Sequence, residues 1–366
     1  MVRVGVIGLG YWGPKLARNF YELTHAELTW VSDLDQSRLD HISSLYPGVR
    51  TTRDYRELLA SDVDAVCVAT PVRTHYQLAL EALKAGKHIL VEKPLAACSD
   101  QAEHIVSEGL LRDRIVMVGH TFVYNPAVIA IRDIIASGDL GEIYYVSAAR
   151  VNLGLFQRDI NVIWDLAPHD ISILTFILGM QPVAASARGG VFVQSKRGLH
   201  DVAYITLHFP NGVLADVRVS WLDPIKTRLY TIVGSRKMLV YDDVASVNKL
   251  MIYDKGVDVP PYSDTEAEFR LSYRTGDGVP YPLDWSEPLH EQCRHFVDCI
   301  RCGLEPRSSG REGLKVVRVL ESAQCSLLNG GAREVIGDSW GFCAYRTGRE
   351  SRPRCQDICV RQPVRV

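Results

Sequence analysis

Three charged side chains in two short stretches carry most of the chemistry this sequence can do. Asp165 and His169, in the run Trp164-Asp165-Leu166-Ala167-Pro168-His169-Asp170, are spaced to share one face of a helix. A carboxylate beside an imidazole suits removal of an alcohol proton. The carboxylate orients the ring and stabilises its charged form, and histidine titrates near neutral pH. The same pair also fits an ordinary helix start, with Asp165 near the N-cap. Lys93 lies in Glu92-Lys93-Pro94 at a strand end, on the carboxyl edge where open α/β sheets bind ligands. Its ammonium can hydrogen-bond a reacting hydroxyl and stabilise developing alkoxide charge, and Pro94 can fix the strand exit through a cis bond. Taken alone, Lys93 reads more simply as a surface lysine after a strand.

Oxidising an alcohol also needs a hydride acceptor, and the opening residues supply a place for one. Gly8-Leu9-Gly10-Tyr11-Trp12-Gly13 follows the run Val2 to Ile7 and opens a helix through Leu16, Ala17 and Phe20. Strand, glycine loop and helix in that order let backbone approach a pyrophosphate resting on the helix N-terminus. Asp33 closes the second strand, where a carboxylate accepts from adenosine ribose hydroxyls; Asp35 is a substitute, though it reads better as a solvated turn residue. A carboxylate there repels a 2′-phosphate, so NAD is expected ahead of NADP despite Arg38 one turn away. The simpler alternative is a tight turn in a doubly wound domain that binds something else.

These residues need a scaffold, and the hydrophobic pattern supplies two. Strands over Val2–Ile7, Leu28–Ser32, Ala65–Val68, His88–Val91 and Ile115–Val118 alternate with amphipathic helices, as in βαβ units with a parallel sheet. Beyond Asn125-Pro126 a helix runs through Ile135 to the Ser137-Gly138 turn, and strands dominate from Ile143 to about Tyr253, interrupted by one helix from about Trp164 to Leu178. Ala203 to Phe209, the turn Pro210-Asn211-Gly212, and Val213 to Val219 read as an antiparallel hairpin. Helical periodicity returns from Pro288 to Asn329 in two pieces. The expected fold class is α/β: a Rossmann domain over 1–121, then an α+β domain with a large, mostly antiparallel open sheet over 122–337. An Arg-rich tail of low order is expected over 338–366.

Bulk properties narrow the function classes. The chain has 366 residues, 47% hydrophobic and 23% charged, with a formal net charge of −2; no strong field would gather nucleic acid or a membrane surface, so the partner is a small molecule. No apolar run approaches the roughly 18 residues a bilayer span needs, and the first residues read as a strand instead of a signal peptide, so the cytoplasm is the expected location. Nine cysteines form no paired framework, so reduced thiols and no metal are expected.

The glycine loop, Asp33, Glu92-Lys93-Pro94 and the Asp-x-x-x-His helix, in that order, resemble the glucose-fructose oxidoreductase, inositol dehydrogenase and rhizopine catabolism (Gfo/Idh/MocA) family over about residues 1 to 337. Ala69-Thr70-Pro71 with His75, Gly119-His120 before Tyr124-Asn125-Pro126, and a closing helix with His295, Phe296 and Arg318 extend the resemblance. It implies nicotinamide held between a Rossmann domain and an open-sheet domain, with Lys93 on the reacting hydroxyl, His169 as general acid/base and Asp165 as its partner. The implied cofactor contacts are Gly8, Gly10, Tyr11, Trp12, Gly13, Asp33, Thr70, Pro71, His75, Glu92 and Lys93. Tyr124, Asn125, Arg150, Arg158, Asp165 and His169 join Lys93 as implied substrate contacts, and a homodimer or homotetramer through the large sheet is implied.

Within this family, Asn152-Leu153-Gly154 followed by the run from Asn161 to Asp170 looks most like members that oxidise the 3-hydroxyl of a nucleotide-linked sugar. That points to a UDP-sugar 3-dehydrogenase acting in either direction. The alternatives are a free polyol or inositol dehydrogenase and, further off, a non-catalytic NAD-binding protein. The sequence departs from the family pattern at Val123, where many relatives carry arginine, and in the tail after Asp338.

Overall fold

Short β-branched runs followed by amphipathic helices build the first half of the chain. The computed structural model describes residues 1–258 and 272–337; the tail expected over 338–366 lies outside them. Chain contacts divide the described residues into two units, Met1–Asn125 with Ser286–Glu321, and Pro126–Trp285 with Ser322–Gly337. Among the described residues, no helix is long and apolar enough to cross a membrane.

The first unit runs β1 (Val2–Ile7), α1 (Gly13–Glu22), β2 (Ala26–Ser32), α2 (Gln36–Leu45), β3 (Arg50–Thr52), α3 (Tyr55–Ala60), β4 (Ala65–Val68), α4 (Val72–Lys84), β5 (His88–Val91), α5 (Ser99–Leu111) and β6 (Val116–Val118). The six strands are parallel in the order β3-β2-β1-β4-β5-β6. The order reverses between β1 and β4, and ligands of doubly wound sheets bind at the carboxyl ends of strands at such a switch. Helices cover the sheet, and β4 is buried along its whole length, as parallel strands usually are.

In the second unit, α6 (Pro126–Ala136) leads into β7 (Ile143–Val151), α7 (Val162–Leu178), β8 (Ala184–Gly190), β9 (Val202–His208), β10 (Leu214–Ser220), β11 (Thr227–Gly234), β12 (Met238–Asp242), β13 (Leu250–Asp258) and β14 (Ser272–Pro280). The chain then adds α8 (Pro288–Cys302) to the first unit, passes along α9 (Gly310–Leu328) and ends its described course at β15 (Glu334–Val335). Among the described residues, nine strands form one sheet in the order β14-β13-β12-β11-β7-β10-β9-β8-β15. Every pairing is antiparallel except β7 with β10. The anticipated hairpin is β9–β10, with Ile205 opposite Val217.

One face of this sheet is covered by α7, most of whose side chains are buried. Within the packing sits a charged cluster. Arg150 of β7 is 4% exposed, and its Nε donates to both Asp170 carboxylate oxygens at 2.9 and 3.1 Å. Tyr230 of β11 also donates to Asp170 and accepts from Arg150 at 3.4 Å. Burial opposes the guanidinium charge, but the Asp170 carboxylate and Tyr230 outweigh it and hold the Arg150 pKa above its ordinary range. Burial, then Asp170, push the Tyr230 hydroxyl well up. Removing one member strands the opposite charge in the interior. Arg150→Met is therefore expected to lower unfolding free energy by roughly 3–5 kcal/mol, read from urea midpoints, and adding Asp170→Asn should recover much of the loss. An Arg150→Met protein as stable as the parent would show that the pair does not hold the unit together.

Candidate active site

At the carboxyl end of β1 the backbone comes unusually close to itself. Gly8 has φ 93°, and a Cβ there would stand 2.7 Å from the Ala69 carbonyl oxygen. A Cβ at Gly13 would stand 1.9 Å from the Gly8 carbonyl oxygen. Only glycine fits either position. Gly10 has nothing within 4 Å of its Cβ direction, so one backbone face stays open for a pyrophosphate at the start of α1. Beside it Tyr11 is exposed, and the Lys15 ammonium lies over the Tyr11 and Trp12 rings, 3.5 and 4.5 Å from their centroids.

Asp33 secures this loop from the end of β2. Its Oδ2 accepts from Leu9 N–H at 2.6 Å and its Oδ1 from Asp35 N–H at 2.9 Å. A carboxylate has about four lone-pair sites, which leaves acceptor capacity for ribose hydroxyls. Asp35 caps α2 by accepting from Ser37 N–H, and the Ser37 hydrogen bonds hold its carboxyl low. Arg38 lies 3.4 Å from Asp33 and 3.7 Å from Asp35, so its charge already answers two carboxylates. An open glycine cradle beside a carboxylate fits NAD.

The ends of β4, β5 and β6 carry the next group. The Lys93–Pro94 peptide is cis, and Lys93 is half-buried. Thr70 and Pro71 occupy the turn into α4, where Thr74 donates to the Thr70 hydroxyl at 2.7 Å. His75 is buried, with its ring nitrogens 2.8 Å from the Thr70 carbonyl oxygen and 2.9 Å from that of Pro94. Burial pushes its pKa down. A neutral ring carries one N–H, so it donates to one carbonyl at a time and braces both loops. Glu92 turns inward, its carboxyl against Gly119, and burial pushes it up to about 7 against the pull of the Lys93 ammonium.

Asn161 starts α7 in the second unit by accepting from Ile163 and Trp164 N–H at 3.1 and 3.3 Å. Asp165, Leu166 and His169 then form a half-exposed stripe on a mostly buried helix. The Asp165 Oδ2 accepts from the Trp221 indole N–H at 3.0 Å. Trp221 follows β10 and is itself fixed: its N–H donates to the Asp201 carbonyl at 3.0 Å, and the Phe156 ring lies 5.6 Å away. No local pattern ties a tryptophan so far along the chain to Asp165, and the sequence reading missed it.

Other expected substrate contacts sit differently. Arg150, implied as a substrate contact, is turned into the interior and engaged with Asp170 and Tyr230. Tyr124 is buried, its hydroxyl 3.0 Å from Ser308 Oγ, and Asn125 is buried beside it in sequence. Arg158 is exposed, and its carbonyl accepts from Arg197. At Val123 the backbone carbonyl accepts from Arg307 at 3.0 Å.

Comparison with known proteins identifies the family. The oxidoreductase family model with an NAD-binding Rossmann fold matches residues 2–120, and the GFO/IDH/MocA C-terminal domain matches 128–240. UDP-N-acetylglucosamine 3-dehydrogenase of Acidithiobacillus ferrooxidans is 29% identical over 276 residues, covering 71% of this chain and 79% of that one. Inositol 2-dehydrogenase 2 of Saccharopolyspora erythraea is 30% identical over 227 residues, covering 60% and 66%. The solved structure of the Acidithiobacillus enzyme superimposes with a TM-score of 0.72 at 25% identity, over 89% of this chain and 97% of that one. The chain belongs to the Gfo/Idh/MocA family of NAD-dependent oxidoreductases.

Proposed function

We propose that this protein transfers hydride between a ring carbinol of a sugar and NAD, with the 3-hydroxyl of a UDP-linked sugar as the preferred substrate. The observation that carries the chemistry is the anchorage of Asp165 by Trp221 one helical turn before His169, on the half-exposed stripe of α7. NAD, when bound, supplies the hydride acceptor. Lys93 hydrogen-bonds the reacting oxygen and stabilises charge developing on it. His169 takes the hydroxyl proton as the carbinol C–H bond breaks, and Asp165 favours the imidazolium that results. In reduction His169 returns the proton. The nucleotide-sugar preference rests on the similarity to the Acidithiobacillus enzyme and on the run from Asn161 to Asp170. Arg158 is exposed and suits a phosphate, whereas Arg150 is already engaged.

The exposed side of the large sheet carries Tyr145, Tyr204 and Leu214, with Tyr145 and Leu214 paired in register. Apolar side chains grouped on an open sheet suit burial against a second copy, so a homo-oligomer is expected. Light scattering should give at least twice the chain mass; a monomer at micromolar concentration would overturn this.

NADH formation with a panel of UDP-sugars, free sugars and inositols tests the substrate. Turnover confined to UDP-sugars is expected, and Lys93→Met should lower kcat by about 100- to 1,000-fold, the usual effect of losing one oxyanion donor. Turnover of free polyols alone would overturn the nucleotide-sugar reading, and an unimpaired Lys93→Met would overturn the mechanism. Trp221→Phe keeps the aromatic packing but removes the donor to Asp165. A fall in kcat of about tenfold with NAD affinity unchanged, in line with one lost hydrogen bond to a charged group, is expected; equal kcat values would remove Trp221 from the site.

A further inference from the structure

The glycine loop that suits the negative charge of a pyrophosphate has no cation of its own. From Gly8 to Pro14 every side chain is uncharged, and the arginines nearby are engaged: Arg18 is paired with Glu287, and Arg38 with Asp33 and Asp35. Lys15 differs from them. It stands in the first turn of α1, where its N–H donates to the Trp12 carbonyl at 3.0 Å, and its ammonium lies over the Tyr11 and Trp12 rings, 3.5 and 4.5 Å from their centroids. The two rings meet edge to face, with centroids 5.4 Å apart. Among the described residues no carboxylate stands within ion-pair distance of that ammonium, and no acidic residue occupies the first turn of α1.

A cation at this place is unfavourable for the helix alone. The unpaired N–H groups of a helix N-terminus carry partial positive charge, so carboxylates are favoured there and an ammonium is repelled. Aromatic faces answer part of that repulsion, because the ring quadrupole attracts a cation. An anion at the helix start reverses the sign, since the charge that the helix favours there also attracts the ammonium. We propose that Lys15 is a further cofactor-binding residue, held on the Tyr11 and Trp12 rings and pairing with the pyrophosphate of NAD. Tyr11 directly follows Gly10, whose Cβ direction is open, so the ring that carries the ammonium borders the backbone face left free for the phosphates. A flexible four-carbon stem lets the ammonium exchange a ring face for a phosphate oxygen. This inference rests on the fit of NAD to the glycine cradle and is independent of the sugar.

Its test measures binding instead of turnover. Lys15→Met keeps an apolar stem against the rings without the charge, and Lys15→Arg keeps the charge. By calorimetry, ADP-ribose and NAD should each bind Lys15→Met about tenfold more weakly than the parent, the cost of one hydrogen bond from a charged donor, and Lys15→Arg should recover most of that loss. Adenosine, which has no phosphate, should bind all three proteins alike. Added salt should weaken ADP-ribose binding less in Lys15→Met than in the parent, because one screened pair is gone. For the unliganded fold, the lost ring contact and the relieved helix repulsion are opposite in sign and of the same order, so Lys15→Met should melt within about 2 °C of the parent. Undiminished ADP-ribose affinity in a folded Lys15→Met protein would overturn the proposal. An equal loss for adenosine, or a clearly lower melting temperature, would overturn it as well, because either would make Lys15 a prop of the loop. No sugar enters these measurements, so they stand whichever substrate the protein turns over.

Discussion

A guanidinium with almost no exposure to water, on Arg150, governs the second unit. It requires a carboxylate at hydrogen-bond distance, and α7 brings Asp170 to it. Successive helical residues are rotated by about 100°, so holding Asp170 against the sheet determines where its neighbour His169 points. With Asp170 held inward, Asp165, Leu166 and His169 become the half-exposed stripe. An apolar pair of similar size could have filled the same space. The ion pair adds direction, because a bidentate contact between Nε and two carboxylate oxygens resists rotation of the helix more than methyl packing does.

In the first unit, backbone N–H groups take the part played by Arg150 in the second. Asp33 receives Leu9 and Asp35 N–H groups, and this ties the glycine loop to the end of β2 before any ligand arrives. The close approaches at Gly8 and Gly13 make the loop shape a consequence of excluded volume, while the open side at Gly10 is where a dinucleotide backbone can lie. Prearranged donors are worth more than ones that must be ordered on binding, which is why a loop with so few side chains can be specific.

Much of this was legible in the chain. The strands β1, β4 and β5 were readable because short apolar, β-branched runs bounded by turn residues have few other uses, and the Asp165–His169 stripe because a spacing of four is local. What escaped was long in range or small in signal. β3 is three residues, Arg50-Thr51-Thr52, with no apolar run of its own, and exists by pairing with β2. Arg150 is implied as a substrate contact by the resemblance, yet Val146, Ala148 and Arg150 recur at the period of two and all point inward. The Trp221 anchorage is a fact of packing, and composition and periodicity carry no trace of it.

The start of α7 bears on two readings of Asp165. A carboxylate in the first turn of a helix is often a cap or a dipole partner and nothing more. Here the capping is done by Asn161, whose side chain takes both the Ile163 and Trp164 N–H groups and is itself held by donating to Gln324 at 2.7 Å. Asp165 is thereby released from that duty, and its Oδ2 is held sideways by the Trp221 indole. An indole donor carries no charge of its own, and Asp165 shares its half-exposed face with His169. In the mechanism proposed above, a carboxylate one helical turn from an imidazole favours the protonated ring, the state a base reaches when it takes a proton from an alcohol.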